Sequence, residues 1–254
     1  MTDVQAPRRR CLRRAVSRTL AGVAMGLVIS AAALADDAGL ALAQRVYDRA
    51  DGKDATSMVT MSLTEEGRSP RLRSMVLYRL SGEGGEGSTL IRFTDPADIA
   101  GTGLLTLDAA DGASNQWIYL PAMQRVRRVD SNRKGGRFVN SDYYFEDLRD
   151  RKPTMDTHRV IGQETIDGVA CEVLESVPVE AGNSVYLRRV SWIDPASLLP
   201  LRVDFYEKDA EQPAKRLEVS KREQVQGYWT VMDSIMTDLR SEHGTQQRVE
   251  RIAY

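Results

Sequence analysis

Turn signals recur about every ten residues along most of this chain, and that spacing restricts it to a succession of short strands. The signals are Asp95-Pro96, Asp111-Gly112, Gly135-Gly136, Asp167-Gly168, Gly182-Asn183, Asp194-Pro195, Gln226-Gly227 and the glycine-rich stretch 82–87. Each pair either fixes φ or tolerates positive φ. Between them lie thirteen strand candidates, from Thr56–Thr64 to Gln246–Ala253. One helix is predicted ahead of them, over Gly39–Ala50, because Leu40, Ala43, Val46 and Tyr47 recur at helical spacing. A meander of this length must bury one face and hide its edges. The expected fold class is therefore mainly β, a strongly curved antiparallel sheet forming a half-open barrel covered by one or a few helices, with a closed sandwich as the alternative.

The first 35 residues read differently. Arg8, Arg9, Arg10, Arg13, Arg14 and Arg18 precede an apolar stretch from Leu20 through Leu34, and Ala33-Leu34-Ala35 places small residues where a signal peptidase reads. Residues 1–35 are expected to be a cleavable export signal and residues 36–254 a single domain, with an uncleaved anchoring helix as the alternative. The apolar stretch is short and rich in Ala and Gly for a membrane span. Cys11 precedes it, so no lipid-acceptor cysteine is expected. Arg13-Arg14 is followed by Ala15 and Val16, which favours the general secretory route over the twin-arginine one. The expected location is the periplasm, with no membrane-spanning segment after cleavage.

Removing residues 1–35 takes away six Arg and one Asp and leaves 29 basic against 35 acidic residues. A net charge of −6 argues against a nucleic-acid partner. Cys171 is then the only cysteine, so neither an internal disulfide nor a thiolate metal cluster is available. His158 and His243 stand without a second ligand at metal spacing and are expected at surface or edge positions. No serine elbow, phosphate loop or dinucleotide fingerprint is present. No catalytic set, cofactor or metal is expected, and Cys171 reads as a buried, inert thiol.

Two groups of residues suggest binding. Met58, Met61, Met75, Met232 and Met236 lie in predicted strands, where a flexible side chain suits an apolar ligand of variable shape; ordinary core filling is the alternative. With Leu77, Trp117 and Tyr119 they are the candidate lining of a lipid cavity. The second group is the basic run containing Arg125, Arg127 and Arg128, followed by an acidic segment with Asp142, Glu146 and Asp147. Ser141 or Asp142 is expected to cap a short helix. Basic and acidic residues either latch to one another or form a rim that docks a partner.

The same residues carry a resemblance. Trp117-Ile118-Tyr119-Leu120-Pro121, the double arginine Arg127-Arg128, and Ser141-Asp142-Tyr143-Tyr144-Phe145-Glu146-Asp147-Leu148 resemble the outer-membrane lipoprotein-sorting, LolA-like family. Gly162, Gly168, Cys171 and Trp192-Ile193-Asp194 fit as well. Asn140 stands where that family commonly has Gly, and Tyr144 where a small residue is usual. The resemblance implies a periplasmic carrier that receives lipid or lipoprotein acyl chains in an apolar cavity, in some relatives beside an RND/MMPL-type exporter. The other function considered is a periplasmic sensor or adaptor acting on a membrane partner.

Overall fold

The computed structural model of the protein describes residues 1–2, 27–130, 134–241 and 243–254, with the backbone alone for residues 27–36 and Glu83. Helix α1 (Leu27–Tyr47) precedes thirteen strands. These are β1 (Asp54–Thr64), β2 (Arg71–Ser81), β3 (Gly87–Asp95), β4 (Gly103–Asp108), β5 (Ser114–Leu120), β6 (Arg125–Arg128), β7 (Asp156–Ile166), β8 (Val169–Pro178), β9 (Arg188–Ile193), β10 (Pro200–Tyr206), β11 (Lys215–Val225), β12 (Tyr228–Asp238) and β13 (His243–Ala253). They form one sheet in the order β6-β5-β4-β3-β2-β1-β13-β12-β11-β10-β9-β8-β7, curved and not closed into a barrel. Every neighbouring pair is antiparallel. Register shifts in β1, β2, β7, β10 and β11 supply the bends that such curvature needs.

Each strand matches a sequence candidate. The largest shortening is in β9, which begins at Arg188 and not at Ser184, because the Ser184 hydroxyl and the Val185 amide are engaged by Glu146 across the interior. Burial alternates strictly along β1, with Ala55, Ser57, Val59, Met61 and Leu63 turned to the concave side. Met75, Ile91, Phe93 and Leu104 on β2, β3 and β4 complete that half of the core.

The edge strands β6 and β7 are consecutive in sequence yet stand at opposite ends of the sheet. The chain between them, residues 129–155, therefore has to traverse the concave face. Its Phe138 is fully buried among Val59, Met61, Met75 and Phe93, while Tyr143 and Tyr144 join Tyr186, Val203, Phe205 and Met236 on the β10–β12 half of the same concave face. The short helix expected after Ser141 does not form. Single 3₁₀ turns at Phe138–Asn140 and Glu146–Leu148 flank that point, and the Asp142 carboxylate is committed to tertiary partners instead of a cap.

Helix α1 differs from expectation at both ends. Its described part runs from Leu27 through Ala35-Asp36, the expected cleavage junction, and it stops at Tyr47. The basic part of the expected signal lies outside the described residues. The buried stripe is Gly39, Leu42, Ala43 and Val46, at i, i+3, i+4 and i+7, whereas Leu40 faces outward. Gly39 explains the rotation: a Cβ there would stand 2.2 Å from the His158 carbonyl oxygen and 2.7 Å from the Arg159 amide nitrogen, so the helix backbone lies directly on β7. Substitution G39A is expected to push α1 off the sheet and lower stability by about 1–3 kcal/mol, measurable as a fall in the urea midpoint at constant slope.

Candidate functional site

The segment that crosses the concave face is pinned by buried charge. Lys215 on β11 is fully buried. Its Nζ donates to Asp147 Oδ2 at 2.7 Å and to the Asp142 carbonyl at 3.1 Å, and it stands 3.5 Å from the centre of the Tyr144 ring. Asp147 also accepts from the Tyr186 hydroxyl at 2.6 Å and from the Tyr144 amide at 2.7 Å. Burial pushes the Lys215 ammonium below its ordinary range, and Asp147 works against that by favouring the charged form. Burial, reinforced by the Asp147 carboxylate, raises the Tyr186 phenol well above its own range.

Two more carboxylates repeat the pattern. Asp142 accepts from Arg137 at 3.0 Å and from the Thr245 hydroxyl at 2.7 Å, and His243 Nδ1 lies 2.6 Å away. Glu146 accepts from the Val185 amide at 2.8 Å and from the Ser184 hydroxyl. Asp142 and Glu146 are buried, and the Asp147 side chain is only 5% exposed. A latch therefore exists, but its partners are Lys215, Arg137 and His243; Arg125, Arg127 and Arg128 stay exposed on the edge strand β6. Truncating one partner leaves the other as an uncompensated buried charge. Variant K215M is expected to lose about 3–5 kcal/mol and to make residues 134–155 the first site of limited proteolysis.

The other candidate residues divide by strand face. Met61, Met75 and Leu77 point into the concavity beneath Phe138 and Phe145. Met236 packs with Tyr143 and Tyr186, and Met232 is buried on the same strand. Met58 and Tyr119 are exposed, and Trp117 shares a strand face with Tyr119. None of the eight lines the cavity under α1 on the concave side.

That cavity, about 300 Å³, lies under α1 on the β7–β10 half of the sheet, at the small end of the range of roughly 300–1,000 Å³ usual for ligand sites. Ala43 and Val46 roof it, with Leu174, Ile193, Val203 and Phe205 as floor. Its polar end holds Arg49, Lys152, Asp156, His158 and Arg189. Asp156 there accepts from Arg151 at 2.7 Å and also from Arg189. Cations outnumber carboxylates at this end, where Asp150 and Asp156 face Arg49, Arg151, Lys152 and Arg189.

His158 lies on the edge strand β7, one of the two placements expected for it, but its side chain is buried. Its Nε2 lies 2.8 Å from the Pro153 carbonyl and its Nδ1 2.9 Å from the Ser176 hydroxyl. The carbonyl can only accept, so Nε2 carries the proton and neutral Nδ1 accepts from Ser176. Burial lowers the folded-state pKa of His158. The unfolded chain then binds more protons as pH drops past the usual histidine value of about 6.5. The resulting stability is present above that pH and is lost as pH falls toward the folded value. Urea midpoints measured between about pH 7.5 and 5 should decline in the native chain and decline less in H158Q.

The arrangement offers an apolar cleft that ends in charged side chains. Among the described residues no group of three His, Cys, Asp or Glu side chains is placed to hold a metal. Cys171 is buried, with burial raising its thiol pKa.

Solved structures place the fold. A DUF1329 family protein from Desulfovibrio piger is 30% identical with a TM-score of 0.81, the match covering 87% of this chain and 93% of that one. A domain from Vibrio parahaemolyticus assigned to outer-membrane lipoprotein sorting is also 30% identical, with a TM-score of 0.80 over 86% of this chain and 92% of its own. The chain belongs to the outer-membrane lipoprotein-sorting protein family that these two structures represent. A LolA superfamily protein from Nitrosomonas europaea shares the fold at 16% identity and a TM-score of 0.66, over 86% of this chain and 92% of that one. A family model described only as an uncharacterized protein matches residues 85–254. No curated protein matches the chain.

Within this lipoprotein-sorting family member the two departures from the expected sequence pattern have local causes. Asn140 has φ of 61°, a conformation that Gly adopts freely and Asn tolerates better than other residues. Tyr144 stacks on Tyr186 with ring centres 6.1 Å apart and forms one wall of the Lys215 site.

Sequence reasoning missed Lys215 and the cavity under α1. The signal for Lys215 was present, since period-2 alternation on β11 puts it on the same face as Leu217 and Val219. The cavity walls come from distant segments, and no local pattern marks them.

Proposed function

We propose that this chain is an exported periplasmic carrier that holds an acyl chain beneath α1. The observation that carries the reading is the apolar cavity roofed by Ala43 and Val46, open beside a cationic end. The crossing segment does not serve as the movable lid in this reading. Its buried carboxylates are bonded on several sides, and freeing them costs several kcal/mol. Helix α1 rests on β7 and β8 through Leu42, Ala43 and Val46, a smaller and mainly apolar contact. Lifting it trades helix contacts for ligand contacts of the same kind, at roughly 25 cal/mol per Å² on both sides of the exchange. Among the described residues no helix is long and apolar enough to cross a membrane, which suits a carrier working in the aqueous space between membranes.

The charge balance at the polar end selects an acyl ligand with an anionic head over a cationic one. Cargo from an RND/MMPL-type exporter, delivered toward the outer membrane, is the transport role this reading favours. A fluorescent long-chain fatty acid is expected to bind the delipidated protein more tightly than an amine of equal length. Substitution A43F, which fills the roof, should weaken binding by about tenfold or more. Native mass spectrometry of gently purified protein should show bound lipid. Lack of fatty-acid binding together with lipid-free purified protein would overturn the proposal.

A further inference from the structure

The convex face of β1–β6 is apolar where a solvated face is expected. Leu72, Leu80, Met58, Tyr78, Leu90 and Tyr119 are between 38% and 62% exposed, and strand register brings them together. One row across the sheet reads Thr56, Tyr78, Leu90, Leu105, Trp117 and Arg128. The next reads Arg251, Met58, Val76, Arg92, Gly103, Tyr119 and Val126. At the usual strand spacing of about 4.8 Å these rows make a patch more than roughly 20 Å wide, beyond what scattered surface side chains produce.

The charges on this patch have one sign. Among the described residues the Arg92 and Arg251 side chains make no hydrogen bond or ion pair, and the Arg128 side chain donates only to Asn115. The acidic groups nearby are at the margins: Asp54 and Asp95 at strand ends, and Glu250 in the β13 bulge beside Arg251. A second copy of the chain docked here would set arginines against arginines with no carboxylate within the patch to pair them. Tryptophan and tyrosine among aliphatic side chains, with arginines between them, match the interfacial zone of a bilayer, where rings sit at head-group level and guanidinium groups meet lipid phosphates.

We infer that the convex face of β1–β6 docks on the surface of an anionic lipid bilayer. This surface lies on the side of the sheet opposite the cavity, so a protein resting on the membrane keeps α1 facing away from it. The inference does not require cargo in the cavity.

Flotation of the full chain with vesicles tests it. Binding is expected to vesicles containing phosphatidylglycerol, to weaken with added salt, and to be much poorer to pure phosphatidylcholine. Charge reversal R92E/R251E should weaken it by more than about tenfold, and L90S should weaken it while thermal unfolding and fatty-acid binding stay as in the native chain. All three side chains are exposed, so folding is not at stake. Absence of vesicle binding would overturn the inference, as would self-association that L90S abolishes. Neither result bears on the cavity, whose own test uses A43F and a soluble probe.

Discussion

A sheet whose two edge strands are consecutive in sequence must be spanned by the chain that joins them. Here that chain is residues 129–155, linking β6 to β7 at opposite ends of thirteen strands, and the rest of the interior follows from its path. It fills one half of the concavity with Phe138, Phe145 and Leu148, reaches β10 and β12 with Tyr143 and Tyr144, and leaves the β7–β9 end to α1. The fold thus divides its concave face between a fixed filling and a roof held by lighter contacts. That division places the cavity where it is.

Charge fixes the crossing segment more sharply than apolar packing does. Hydrophobic contacts are non-directional and tolerate sliding, whereas Lys215 has a defined set of partners in Asp147, the Asp142 carbonyl and the Tyr144 ring. An ammonium in that place costs desolvation, and only the full partner set offsets it. The same holds for Asp142 between Arg137, Thr245 and His243. These buried pairs specify register for a stretch of chain that has almost no regular secondary structure of its own.

Much of the fold was legible because strands and turns are local signals. Pairs such as Asp167-Gly168 and Gln226-Gly227 place positive φ where the hairpins turn, and all thirteen strands follow. The helix was legible as a helix, but its orientation was not. Leu40 looks like a core residue by type, and the contact that rotates it outward is the close approach of Gly39 to β7, a tertiary fact. His158 and Lys215 were hidden for the same reason: polar residues are read as exposed until their partners, distant in sequence, are known. The acidic segment was legible as a latch and not in its partners, since Asp147 and Lys215 are 68 positions apart.

The pairing of β1 with β13 at the middle of the sheet has a bearing on how the chain acquires its structure. Each half of the sheet is a run of neighbouring hairpins that can form early, but the inner edge of β1 stays unpaired until β13 arrives, close to 200 residues later. Loop closure over such a distance makes folding slow and leaves two open edges exposed to other chains in the interval. The final eleven-residue strand is therefore the step that joins two separately formed halves into one cooperative unit.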